Sequence, residues 1–101
     1  MVWLNTILLL LFKKKIMDRD YIDEIAEGAI VMDGYDDCIV GISEEFGRET
    51  RIVYSKQRII QKMVKTDLMT EEEAIEYFYF NMVGGYYGER GPIFLTTSMA
   101  V

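Results

Sequence analysis

An α+β fold is what this sequence predicts: a small antiparallel sheet of three to four strands with about three helices packed on one side. Three observations lead there. Apolar residues recur at helical spacing over three separate stretches. Short β-branched runs lie between them, bounded by Asp, Gly and Ser. The length of 101 residues, 50% of them hydrophobic, suits one domain with one modest core.

Residues 18–27 read as a short helix. Tyr21, Ile22, Ile25 and Ala26 share one face, acids stand early where the helix dipole favours them, and Gly28 supplies the terminal turn. Residues 29–32 are apolar and rich in β-branched side chains, which predicts a strand. Residues 33–37 have turn chemistry, and 38–42 read as a second strand in a hairpin with the first. A polar loop, 43–50, leads to a third strand over 51–54. Ser55 then caps a helix over 56–66, with Ile59, Ile60, Met63 and Val64 on one stripe and Arg58, Lys62 and Lys65 on the opposite one. Thr70 and Glu73 match a capping box for a third helix running to about Val83, where Gly84 and Gly85 stop it. Its core face is Ala74, Ile75, Phe78 and Met82. Residues 88–92 form a tight turn and 93–96 a last strand.

Residues 1–16 do not match this pattern. Val2 to Phe12 is apolar except for Asn5 and Thr6, and three lysines follow. A membrane span needs about 20 apolar residues, so no transmembrane segment is predicted. A secretory signal carries its positive charge before the apolar stretch, not after it. The segment reads as an N-terminal apolar arm or as sequence upstream of a misassigned start at Met17, the second being preferred. Residues 17–101 form the single α+β domain.

Charge and composition exclude several functions. The net charge is −6, with −9 over residues 18–49, +5 over 50–66 and −5 over 67–101. Extended nucleic-acid binding is disfavoured, because the phosphate backbone demands a positive field. The Arg58, Lys62 and Lys65 stripe reads as solvation or as neutralisation of its acidic flanks. With no His and one Cys, the chain has no Cys/His zinc site, no His-activated nucleophile and no internal disulfide. Cys38 opens an apolar strand and reads as a small buried hydrophobe.

Two groups of candidate site residues remain. Asp33, Asp36 and Asp37 lie in one turn and supply hard oxygen ligands. Mg²⁺ or Ca²⁺ there, with Glu89 nearby, would serve a small metal-assisted hydrolase or a nucleotide-binding protein. The spacing of a helix-loop-helix calcium loop is absent, and Asp and Gly are ordinary turn formers, so the structural reading is preferred and no cofactor is implied. The second group is aromatic. Tyr77 and Phe80 fall between Glu73 and Glu76, away from the core stripe, and Asn81, Tyr86, Tyr87 and Glu89 follow. Large aromatics on an acidic face predict an interaction surface, unless the helix is buried on both sides.

From Ile30 to Phe94 the chain also resembles small uncharacterised proteins of bacteriophages and other double-stranded DNA viruses. The motifs that carry the resemblance are Asp33-Gly34-Tyr35-Asp36-Asp37, Cys38-Ile39-Val40-Gly41, Tyr54-Ser55, Met69-Thr70-Glu71-Glu72-Glu73-Ala74, Phe80-Asn81-Met82-Val83-Gly84 and Gly88-Glu89-Arg90-Gly91-Pro92-Ile93-Phe94. It implies an origin and a fold unit, not a reaction. The expectation is a non-enzymatic viral accessory protein in the host cytoplasm that binds a host or viral protein, one version being inhibition of a host defence or metabolic enzyme. A self-associating structural component, a homo-oligomer, is the other non-enzymatic alternative.

Overall fold

The computed structural model describes residues 19–85 and 87–97. Its fold is α+β, with a three-stranded sheet in the order β1 (Ile39–Ser43), β2 (Arg51–Ser55), β3 (Ile93–Leu95). The assignments of residues 1–16 and of Tyr86 lie outside the described residues.

Helix α1 (Arg19–Ile25) turns Ile22 inward, and the following Ala26 continues the same face, its N–H donating to the Ile22 carbonyl at 2.8 Å. Gly28, at φ 83°, ends the turn. A side chain there would also collide with the guanidinium of Arg90.

Residues 29–32 correct the first strand expected. They form no strand, because their donors are used elsewhere. The Ile30 N–H donates to the Arg90 carbonyl at 2.9 Å, and the Met32 N–H to the Tyr54 hydroxyl at 2.7 Å. The turn after them closes into one turn of 3₁₀ helix, Asp36–Cys38, which delivers the chain directly into β1. The hairpin therefore forms one element later. β1 and β2 pair antiparallel, Ile42 opposite Ile52 and Ser43 opposite Arg51, with an irregularity between Ile39 and Gly41.

The sheet is mixed rather than wholly antiparallel. β3 pairs parallel to β2, Val53 opposite Ile93 and Tyr54 opposite Phe94. Parallel neighbours require a crossover, since the chain must return to the end from which it started. Two helices supply it. Helix α2 (Lys56–Thr66) follows β2 without a loop, and the Ser55 hydroxyl accepts from the Arg58 N–H at 3.2 Å as its cap. Helix α3 (Glu71–Tyr77) begins with the capping box foreseen. The Glu73 N–H donates to Thr70 Oγ1 at 3.2 Å, and the Thr70 N–H to the Glu73 carboxylate at 3.0 Å.

The third helix changes pitch where a uniform α-helix was expected. Phe78–Val83 forms a wider, π-helical turn, and the Gly84 N–H donates to the carbonyl of Tyr79, five residues back, at 2.8 Å. A Cβ on Gly84 would stand 2.9 Å from the Phe80 carbonyl oxygen, so glycine suits this closure.

One core results, and it lies on one side of the sheet. Ile52 and Tyr54 of β2 are fully buried there, with Ile22, Ile59, Met63, Ala74 and Phe78 from the helices. The Phe94 ring meets Phe78 edge-on at 5.2 Å and lies 6.2 Å from Tyr54. Among the described residues, no helix is long and apolar enough to cross a membrane.

Candidate functional site

The acidic turn comes first in the chain, and its carboxylates are all engaged by cations. Arg19 donates from Nε to Asp36 at 3.1 Å and from Nη2 to Asp36 at 2.9 Å and Asp33 at 3.4 Å. Asp37 points the other way, toward α2, where Lys62 Nζ lies 2.9 Å from Oδ1 and also bonds the Gly34 carbonyl. That ammonium holds the Asp37 carboxyl below its usual range, while the carboxylate raises the Lys62 pKa. Arg58 adds a 3.4 Å bond to the Asp37 carbonyl.

The three aspartates thus diverge onto two different cations instead of converging on one ion. Among the described residues, no three acidic or thiol side chains group closely enough to hold a metal. The basic stripe on α2, in turn, spends two of its three cations on this turn.

Cys38 sits just behind Asp37 and is 1% exposed. Burial, reinforced by the Asp37 carboxylate, pushes its thiol up to about 11, so a thiolate nucleophile is disfavoured. Tyr54 is also raised by burial.

The aromatic group separates into distinct places. Tyr77, Phe80 and Asn81 line one open depression of about 470 Å³ with Met69, Glu73 and Glu76. Phe80 is 78% exposed there and Tyr77 43%, although Phe78 and Met82 on the same turns are buried. Tyr87 instead folds back over the end of the helix. Its hydroxyl donates to the Asn81 carbonyl at 3.2 Å, and its ring walls a different cavity with Phe78, Met82 and Phe94. Glu89 lies elsewhere again, beside the 44–49 loop with Phe46 and Arg48.

The candidate site is therefore the α3 face made by Tyr77, Phe80, Asn81 and their acidic neighbours. Its floor includes Met69, which sequence pattern did not single out. Met69 is carried there by Leu68, whose left-handed φ of 57° turns the chain between α2 and α3. The Met69 N–H then donates back to the Met63 carbonyl at 3.4 Å. Glycine or Asn usually marks such a position, so a leucine left no sequence signal.

This arrangement has the chemistry of recognition. A Phe ring and a Tyr ring offer apolar area at low entropic cost, and Glu73 and Glu76 frame them with negative charge. The Glu73 carboxyl is held below its usual range by the Thr70 N–H at the start of α3, so it is ionised at neutral pH. Compared with protein families, with curated proteins and with solved structures, the chain matches none of them.

Proposed function

We propose that this chain is a non-enzymatic accessory protein of a bacteriophage or other double-stranded DNA virus that binds a host or viral protein in the host cytoplasm. The observation that carries the reading is the exposure of Phe80, 78%, beside Tyr77 on a helix that buries Ala74, Phe78 and Met82 on its other side. Leaving a Phe side chain in water forgoes roughly 1.5–3 kcal/mol of burial, which a partner surface recovers. The partner that fits is a protein with an apolar knob or groove rimmed by basic side chains, matched to Glu73 and Glu76. A basic active site of a host defence or metabolic enzyme has that chemistry. The viral origin rests on the motif resemblance alone.

The test is capture of a partner from host extract by the full chain and by a Tyr77→Ser/Phe80→Ser double variant. The expected result is a partner retained by the full chain, released by salt, and lost in the double variant while its circular dichroism is unchanged. Equal capture by both chains removes the α3 face from the function. A mass that rises with concentration in the full chain and not in the variant assigns the face to self-association instead.

A further inference from the structure

Given a protein partner on α3, which is the function proposed for this face, the depression there selects the side chain that the partner inserts. Of its described lining residues, all but Met69 belong to one helical segment: Glu73, Glu76, Tyr77, Phe80 and Asn81. Spacings of three and four place them in one stripe, each beside the next. Two rings and two carboxylates therefore share one open surface, with Phe80 78% exposed at its centre.

The charge on this stripe has no counterpart within the fold. Residues 67–89 carry six acids and no base. Among the described residues, no lysine or arginine pairs with Glu73 or Glu76, whereas Asp36, Asp37, Glu45 and Glu49 all have cations of their own. Glu73 Oε1 accepts from the Thr70 N–H at 3.0 Å, which leaves its other oxygen and both oxygens of Glu76 as acceptors. A metal ion would make no use of the exposed rings. A long side chain that is cationic at its tip uses every part of the surface.

We infer that the depression holds one arginine side chain of the partner, its guanidinium against the Tyr77 and Phe80 rings and its donors on Glu76 and Glu73. A guanidinium is planar, stacks on aromatic faces, and offers five donors in a fork that matches a carboxylate. Its methylene stem would lie against Met69. A second copy of this chain is a poor donor of that side chain, because all five of its arginines are engaged. Arg19, Arg48 and Arg90 pair with carboxylates, Arg51 bonds the Gly91 and Pro92 carbonyls, and Arg58 bonds the Asp37 carbonyl.

The test follows the ring protons of the full chain by nuclear magnetic resonance as a blocked glycine–arginine–glycine peptide is added. The Tyr77 and Phe80 signals should titrate in the millimolar range, while those of the buried Phe78 stay still. The same peptide with citrulline, alike in shape but uncharged, should give no comparable shift, and its lysine counterpart should bind more weakly. Glu76→Gln and Phe80→Ala should each weaken arginine binding about threefold, the worth of one exposed ion pair or one exposed cation–π contact. Ring signals that do not move, equal shifts with citrulline, or equal binding of lysine each overturn the inference. Arginine binding unchanged in both folded variants overturns it too, by placing the cation elsewhere on the acidic surface. A captured partner that the arginine peptide fails to displace removes the arginine but leaves protein binding on α3 standing. Ring shifts that meet every expectation, with no partner captured, keep the arginine pocket and remove the accessory-protein function.

Discussion

Arg19 fastens the start of the described chain to the turn before β1, with two bonds to Asp36 and a longer one to Asp33. Lys62 fastens the same turn to α2 through Asp37. Both pairs are partly exposed, with 41% and 40% of the Arg19 and Asp36 side chains accessible and 69% of Asp37, so each contributes at most about 1 kcal/mol. Their effect is on function more than on stability, because carboxylates already paired to fixed cations bind a divalent ion poorly. Millimolar Mg²⁺ or Ca²⁺ should therefore leave Tm unchanged, whereas a site with micromolar Kd would gain about 4 kcal/mol at 1,000 times that concentration. At about 4–8 °C per kcal/mol such a gain could not be missed. A shift that appears with metal and vanishes in Asp36→Asn would overturn the structural assignment of the turn.

At the scale of elements, the two helix caps differ in a way that can be measured. Thr70 caps α3 in solvent, while Ser55 caps α2 with its side chain fully buried between strand and helix. Thr70→Ala should cost about 1 kcal/mol by denaturant unfolding. Ser55→Ala should cost more, near the upper end of about 2 kcal/mol, because the Arg58 N–H loses its acceptor away from water. Equal losses would show that burial of the cap is immaterial. These caps, the α2 stripe and the α3 core face were legible in the sequence because each is a local rule. Capping needs four consecutive residues, and a stripe needs a fixed period. What was not legible depended on partners distant in the chain. Residues 29–32 have strand composition, but whether they pair depends on where Arg90 and Tyr54 stand. The parallel placement of β3 follows from a crossover of two helices, which strand composition does not encode. The α3 face was half legible: the wheel separated Phe80 from Phe78 and Met82, whereas the departure of Tyr87 to another cavity came from a turn with no period to read.

The whole molecule carries a net charge of −6, so its response to pH is the sum of a few displaced groups on that background. On the acid side, Asp37 is held down by Lys62 and Glu73 by the Thr70 N–H at the start of α3. A carboxyl lowered in the folded state contributes stability above its unfolded value, and loses it as pH falls through the folded value. On the alkaline side, Cys38, Tyr35 and Tyr54 are raised by burial and Lys62 by Asp37. Raised groups contribute fully below their unfolded values and lose that contribution as pH rises through the folded ones. For Cys38, whose thiol is pushed from 9.0 to about 11, the loss runs across that interval. With no histidine to titrate between these limits, Tm should be nearly flat from about pH 5.5 to 8 and fall on both sides. Lys62→Met should weaken the acid limb by removing the cation that holds Asp37 down, and Cys38→Ala should flatten the first part of the alkaline limb. A Tm that peaks sharply inside the neutral range would contradict both assignments, because none of the displaced groups titrates there.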